Sequence, residues 1–369
     1  MIAGILKEAT DKRVVMVPAV VKKMKGAGFE VVVEKGAGEA SLFSDSDYEE
    51  AGATVADRDQ VLQQADLLWS ITPPSDDEMS KLKSEAFVLA QFSPRANPEI
   101  SEQLAGKGIR AFSMDNIPRT TIAQSMDVLS SMASLAGYKA VLHAADQLPS
   151  YFPMLMTAAG TIPPAKVLIL GAGVAGLQAI ATARRLGATV EAFDVRSAVK
   201  EEVMSLGAKF VEVEGATEDS GAGGYAVEQT DEYKRRQKEL IHEKSSKADV
   251  IITTANIPGR KAPILVEAKT VEAMKAGSVI IDLAAVTGGN CELTENDKTV
   301  VKHGVTIVGN SNLPGDMQRD ASTLLANNYF NFIKYVFGKG MEGFDPENEI
   351  VKGTHIGKAL PAAAASEEA

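Results

Sequence analysis

The residues best suited by type and spacing to chemistry lie between Ala165 and Arg196. Residues 167–170 are a short apolar run without a turn residue, followed by Gly171, Gly173 and Gly176 in G-x-G-x-x-G spacing. In a strand–turn–helix unit the first glycine permits a tight turn and the second lets the backbone approach a pyrophosphate. The third lets the helix pack closely on the strand. A helix from Val174 to about Leu186, opening with Val174 and Ala175, would aim its first N–H groups and its positive dipole end at the phosphates. Asp194 ends the next strand at about the 20-residue distance expected of the acid that accepts from the adenosine ribose hydroxyls. Glycine spacing alone is a weak signal. With a strand before it, a helix after it and the acid at this distance, it predicts a dinucleotide site. Asp194 would repel the 2′-phosphate of NADPH, so the expected ligand is NAD(H), although Arg196 stands two residues on.

These residues need a scaffold, and the chain supplies two. It has 369 residues with ordinary globular composition, enough for two domains with a core each. Runs at 2–6, 30–33, 67–71, 87–91 and 109–112 read as strands. Helical stretches at 18–25, 47–51, 58–64, 76–83 and 98–106 alternate with them, which predicts a mostly parallel sheet without a phosphate loop. An unbroken helical pattern over 124–147, containing one glycine, Gly137, leads towards the glycine turn. Beyond Asp194, a helix at 199–205, a strand at 209–213 and a charged helix ending near 247 continue the second fold. Strands at 250–254, 278–283 and 306–308 follow. Their carboxyl ends should line the cofactor cleft, bringing Thr254, Ala255, Asn256 and Ile257, then Asp282, Leu283 and Ala284, beside the glycines and Val195. A helix over 320–337, carrying Leu324, Leu325, Tyr329, Phe332, Ile333 and Val336, is placed to return to the first domain. The expected fold is α/β: two Rossmann-like, doubly wound domains with a cleft between them, residues 1–130 with 315–369 and residues 131–314. Residues 217–228 are rich in turn formers and read either as a plain surface connection or as a flap; residues 362–369 are a low-complexity tail.

Composition excludes some functions. The net charge of −11 argues against a nucleic-acid partner. Cys291 is the single cysteine, so no intramolecular disulfide is expected. No metal-ligand cluster, signal peptide or membrane span is apparent. Oxidising an alcohol or amine requires a base to take the substrate proton as hydride leaves. The four histidines, His143, His242, His303 and His355, all fall away from the expected nicotinamide end. Hydride passed from one nicotinamide to another needs no such base, only position and electrostatics.

Longer runs carry a resemblance. Pro118-Arg119-Thr-Thr-Ile-Ala-Gln124-Ser-Met-Asp127-Val-Leu-Ser130, Met156-Thr-Ala-Ala-Gly160-Thr-Ile-Pro-Pro-Ala165, the glycine turn, and Ile281-Asp-Leu-Ala-Ala-Val-Thr-Gly-Gly-Asn-Cys291 resemble the NAD(H)-binding component of the proton-translocating NAD(P) transhydrogenases over nearly the whole length. The resemblance implies that residues 119–130 hold the nicotinamide end through Arg119, Gln124, Asp127 and Ser130, and that Gly224 and Tyr225 belong to a flap. It also implies hydride transfer to NADP(H) on a partner beta subunit, membrane-spanning alpha and beta subunits that move the protons, a homodimer, and a place on the cytoplasmic face of the inner membrane. Alanine dehydrogenase shares the pattern Lys7-Glu8, Arg13-Val14 and Pro18, but the resemblance implies a lysine and a histidine where this chain reads Trp69-Ser-Ile-Thr-Pro-Pro74 and Leu89-Ala-Gln-Phe-Ser-Pro94. Without that acid–base pair, amino-acid oxidation is the disfavoured alternative.

Overall fold

The computed structural model describes residues 1–213, 230–257, 259–338, 340 and 344–361. Gly224, Tyr225, the rest of the expected flap and the tail from 362 lie outside the described residues. The chain divides into two compact units, residues 1–132 with 315–369 and residues 133–314.

In the first unit β1 (Ile2–Ile5), β2 (Glu30–Glu34), β3 (Thr54–Ala56), β4 (Leu67–Trp69), β5 (Phe87–Ala90) and β6 (Arg110–Ser113) pair in parallel. They lie in the order β6-β5-β4-β1-β2-β3, and β16 (His355–Gly357) adds antiparallel to β6. Helices α1 (Pro18–Gly26), α2 (Asp45–Glu50), α3 (Arg58–Gln64), α4 (Asp76–Ser80) and α5 (Ile100–Gly106) make the crossovers. Every residue of β4 and β5 is buried, as strands covered on both faces require. One face packs Trp69, Phe87 and Phe112 against Tyr329, Phe332 and Phe337 of α11 (Gln318–Phe337). The Trp69 and Tyr329 rings lie 5.6 Å apart. The Tyr329 hydroxyl donates to the Ser70 carbonyl at 2.8 Å, and Ser322 Oγ accepts from Val14 N at 2.9 Å. The returning helix is thus bonded into the sheet; its Leu324 stays 37% exposed at the edge of the apolar face. Helix α12 (Glu349–Thr354) precedes β16.

The second unit repeats the plan. The strands β9 (Lys166–Leu170), β10 (Thr189–Phe193), β11 (Lys209–Val211), β12 (Val250–Thr253), β13 (Val279–Asp282) and β15 (Val305–Val308) are parallel. Their order is β11-β10-β9-β12-β13-β15, closed by antiparallel β14 (Thr299–Lys302). Helices α7 (Val174–Arg185), α8 (Lys200–Ser205), α9 (Asp231–Lys247) and α10 (Ala268–Glu272) accompany them, and β7 (Leu155–Thr157) with β8 (Gly160–Ile162) forms a separate hairpin. The order reverses between β9 and β12, where an open α/β sheet places its ligand.

Several boundaries differ from expectation. The long helix α6 runs Val128–Gln147 and does not begin at Gln124. Residues Ile122–Met126 form a separate 3-10 turn that buries Ala123 and Met126. Asp127, in extended backbone, starts the helix: its carboxylate accepts from Ser130 N at 3.0 Å and Ser130 Oγ at 2.5 Å. The helix expected at 47–51 begins at Asp45 because Ser44 and Asp47 form a capping box. The one expected at 98–106 begins at Ile100, and α8 follows a 3-10 turn, Ser197–Val199. Strands β3, β7, β8, β14 and β16 have no counterpart in the expected pattern.

Candidate functional site

The glycine turn connects β9 to α7. Gly171 has φ +105°, and a Cβ there would stand 2.5 Å from Thr254 Oγ1. A Cβ on Gly176 would stand 1.9 Å from the Gly171 carbonyl oxygen. Both glycines are therefore fixed by packing within the unit. Gly173 differs, since an added Cβ would meet nothing within 4 Å. It forms the N-cap of α7, and no side chain caps that helix. The first-turn N–H groups of Val174, Ala175 and Gly176 receive no side-chain cap from Gly173, and Val174 is exposed. This half of the turn fits the pyrophosphate of a dinucleotide. Helix α6 supports it from behind: a Cβ on Gly137 would fall 2.1 Å from the Ala175 carbonyl oxygen. That close approach explains the lone glycine of α6.

Asp194 lies at the end of β10 with its carboxylate almost wholly buried. It accepts from Ala172 N at 2.7 Å, tying the second strand to the turn. It also accepts from Arg196 N and Nε at 2.9 Å and from Nη2 at 2.8 Å. These donors fill the four or so lone-pair directions of a carboxylate. A ribose hydroxyl would have to replace a guanidinium bond. The hydrogen bonds from Arg196 to Asp194 hold the guanidinium more firmly protonated than usual, although burial opposes this. Val195 is half-buried beside this pair.

The carboxyl ends of β12 and β13 are wired to each other. Thr254 Oγ1 donates to the Gly171 carbonyl at 3.0 Å. Asp282 is fully buried, and its carboxylate accepts from Thr253 Oγ1, Ala284 N, Asn290 N, Cys291 N and Thr294 Oγ1 at 2.7–3.0 Å. Its side chain is spent on holding the segment 282–294, so any service to a ligand passes through that backbone. Sequence reasoning missed Asn290, which is fully buried. Its Oδ1 accepts from Ala255 N at 3.0 Å while its Nδ2 donates to the carbonyls of Ala255 and Pro263 at 2.8 Å, fixing Ala255 and its neighbours. The Thr-Gly-Gly-Asn run is visible in the sequence, but nothing in it specifies that contact. Asn256 Oδ1 accepts from Thr287 Oγ1 at 3.2 Å, Ala284 is fully buried, and Leu283 and Ile257 are partly so. Burial pushes the neighbouring Cys291 thiol up to about 11, which makes it inert.

The residues expected at the nicotinamide end belong to the first unit. Arg119 and Gln124 are exposed, Gln124 on the 3-10 turn. Asp127 and Ser130 bond each other as a helix cap. The ends of β4 and β5 continue as Ser70-Ile71-Thr72 and Gln91-Phe92-Ser93, without a lysine or histidine. Glu8, beyond β1, accepts there from Ile71 N at 2.5 Å and Thr72 N at 3.2 Å. Burial holds its carboxyl above the usual carboxylate range, although those N–H bonds pull the other way. Of the histidines, His242 bonds Thr270 and His355 the Lys358 carbonyl, neither at a strand's carboxyl end. Among the described residues no group of His, Cys, Asp and Glu is arranged to hold a metal.

Two doubly wound sheets, one with a dinucleotide turn, define the class. Residues 4–136 match the alanine dehydrogenase/PNT N-terminal domain and residues 140–359 match the alanine dehydrogenase/PNT C-terminal domain, so the chain belongs to that family. Within the family it is 47% identical over 356 residues to the first of the polypeptides that make up the NAD(P) transhydrogenase alpha subunit of Rhodospirillum rubrum, covering 94% of this chain and 93% of the relative. The crystal structure of transhydrogenase from Sinorhizobium meliloti superposes with a TM-score of 0.88 at 46% identity, covering 97% of this chain and 99% of that one. Alanine dehydrogenase of Mycolicibacterium smegmatis stands further off, at 29% identity over 380 residues, covering 100% of this chain and 96% of the relative.

Proposed function

We propose that this protein is the NAD(H)-binding component of a proton-translocating NAD(P) transhydrogenase. In this reading it passes hydride directly between NADH held here and NADP+ held by a partner beta subunit. Membrane-spanning alpha and beta subunits couple that transfer to proton movement, and the protein works as a homodimer on the cytoplasmic face of the membrane. The observation that carries the reading is a contrast within the chain. The turn of the second unit has the glycine spacing, the helix start without a side-chain cap and the open space at Gly173 that a dinucleotide cradle needs. The ends of β4 and β5 in the first unit, where the alanine dehydrogenase resemblance would put a lysine and a histidine, carry neither.

NAD(H), when bound, would give or accept the hydride. The chain's share of the work is to bind and orient. The N–H groups of Val174, Ala175 and Gly176 take the diphosphate, and Asp194, once Arg196 yields a bond, takes the adenosine ribose. The backbone of Thr254, Ala255, Asn256 and Ile257 and of Asp282, Leu283 and Ala284 forms the floor. Arg119, Gln124, Asp127 and Ser130 place the nicotinamide end, where no proton need be moved. Val195, Gly224 and Tyr225 belong to the adenosine side.

The test mixes the protein with a purified NADP(H)-binding transhydrogenase subunit and follows reduction of an NAD analogue by NADPH in stopped flow. Transfer should need both proteins. Gln124→Asn should slow it by about 10-fold or more while changing NADH affinity far less. NADH should bind much more tightly than NADPH in a fluorescence titration, because Asp194 repels the 2′-phosphate. Turnover of alanine and NAD by the protein alone, or an unchanged rate in Gln124→Asn, would overturn the proposal.

A further inference from the structure

The 3-10 turn Ile122–Met126 is built to hold its backbone still while leaving Gln124 exposed. Ala123 and Met126 anchor it in the core of the first unit. Two asparagines of α11, one helical turn apart and on one face, converge on a single acceptor of that turn. Asn328 Nδ2 donates to the Ser125 carbonyl at 2.9 Å and Asn331 Nδ2 donates to the same oxygen at 3.0 Å. The two lone pairs of one carbonyl are thereby both used. Further upstream, Asn116 Nδ2 donates to the Gly353 carbonyl of α12 at 2.6 Å. The segment from 116 to 127 is therefore tied at both ends to elements that follow it by some two hundred residues.

Asn328 does this at a cost to stability. It is 5% exposed, and its Oδ1 has no hydrogen-bond partner among the described residues. A buried acceptor left unpaired opposes folding, and an apolar side chain of similar size would avoid the penalty. Stability alone does not account for an asparagine here; the direction of its Nδ2–H bond does.

On the reading proposed above, we infer that Asn328 and Asn331 are positioning residues for hydride transfer. They pin the Ser125 carbonyl and so set where the neighbouring Gln124 side chain presents itself. Both act through the backbone of the turn. Binding affinity is spread over the glycine turn and strand ends of the second unit, whereas the rate depends on the placement of one ring. Loosening the turn should consequently affect rate far more than affinity.

The experiment compares wild type, Asn331→Ala, Asn328→Leu and the double variant as full chains. Amide exchange over residues 122–127, melting temperature, NADH affinity and single-turnover hydride transfer with a purified NADP(H)-binding transhydrogenase subunit are measured. The double variant should exchange at least about 10-fold faster over 122–127 and transfer hydride about 10- to 100-fold more slowly, with NADH affinity within about 3-fold of wild type. Asn328→Leu should melt no lower than wild type. Unchanged exchange overturns the pin itself, whatever the activity. Faster exchange with an unchanged transfer rate overturns its role in positioning. Equal losses in affinity, rate and melting temperature would reduce both residues to ordinary structural ones. If wild type fails to transfer hydride, the functional reading falls and the positioning role with it, while the exchange arm still reports on the pin.

Discussion

Gly173 and Gly176 share one turn but answer to different constraints. A Cβ on Gly176 would collide with the Gly171 carbonyl, a backbone atom that cannot step aside, whereas a Cβ on Gly173 would meet no protein atom. Gly176→Ala should therefore destabilise the second unit, by about 1–3 kcal/mol as overpacking does, and lower its melting temperature by several degrees. Gly173→Ala should leave the melting temperature within about 2 °C of wild type, its φ of −77° being open to any residue, yet weaken NADH binding by about 10-fold or more. Calorimetry paired with a binding titration separates the two. A Gly173→Ala protein that binds NADH normally would mean that no ligand approaches that backbone. At this scale the sequence is informative about the turn and poor about its supports. G-x-G-x-x-G and Asp194 can be read by spacing, because their partners are near neighbours in the chain or the adjoining strand. Asn290, which meets Ala255 and Pro263 across the ends of different strands, gives no comparable signal.

The elements are legible where their burial is continuous. The runs behind β4, β5, β9, β12 and β13 are apolar almost throughout, since both faces of the sheet are covered. The strands that the sequence hides are edges or short pairs: β3, β14 and β16 are marginal in length and partly exposed, and every residue of β8 is exposed. The start of α6 is hidden for a related reason. Ala123 and Met126 sit at a spacing that serves a 3-10 turn as well as an α-helix, and only the Asp127 cap separates the two. Glu8 shows how elements are joined at the site end of the first sheet. It follows β1 and bonds the backbone beyond β4. Its carboxyl is raised from 4.5 by burial, so the folded state holds that proton more tightly than the unfolded chain. The stability this gives is complete below about 4.5 and is lost as pH rises through the folded value. Glu8→Gln, which keeps an acceptor oxygen and cannot ionise, should gain melting temperature relative to wild type as pH increases from about 4.5 towards 8. A difference between the two proteins that is constant over that range would show that Glu8 does not titrate there.

For the whole molecule the relevant quantities are charge and hydrophobic length. The chain carries −11, and among the described residues no helix is long and apolar enough to cross a membrane. On the function proposed above, membrane-spanning alpha and beta subunits hold it at the membrane. Membranes containing the complex should release it on washing with alkaline carbonate, without detergent, and cells lacking the membrane subunits should yield it in the supernatant. Retention after the carbonate wash would contradict this account. The first unit also has a temporal side. Its sheet is nearly complete by Ser113, but the turn at Ile122–Met126 is bonded by α11 and Asn116 by α12, and the whole second unit is made in between. At about 5–20 residues per second, a growing chain would finish its dinucleotide fold and then wait some seconds for the clamp on the Gln124 turn. On the function proposed above, a chain that stops short of α11 would keep the glycine turn and lack the hold on the Gln124 turn, so hydride transfer would be confined to finished molecules.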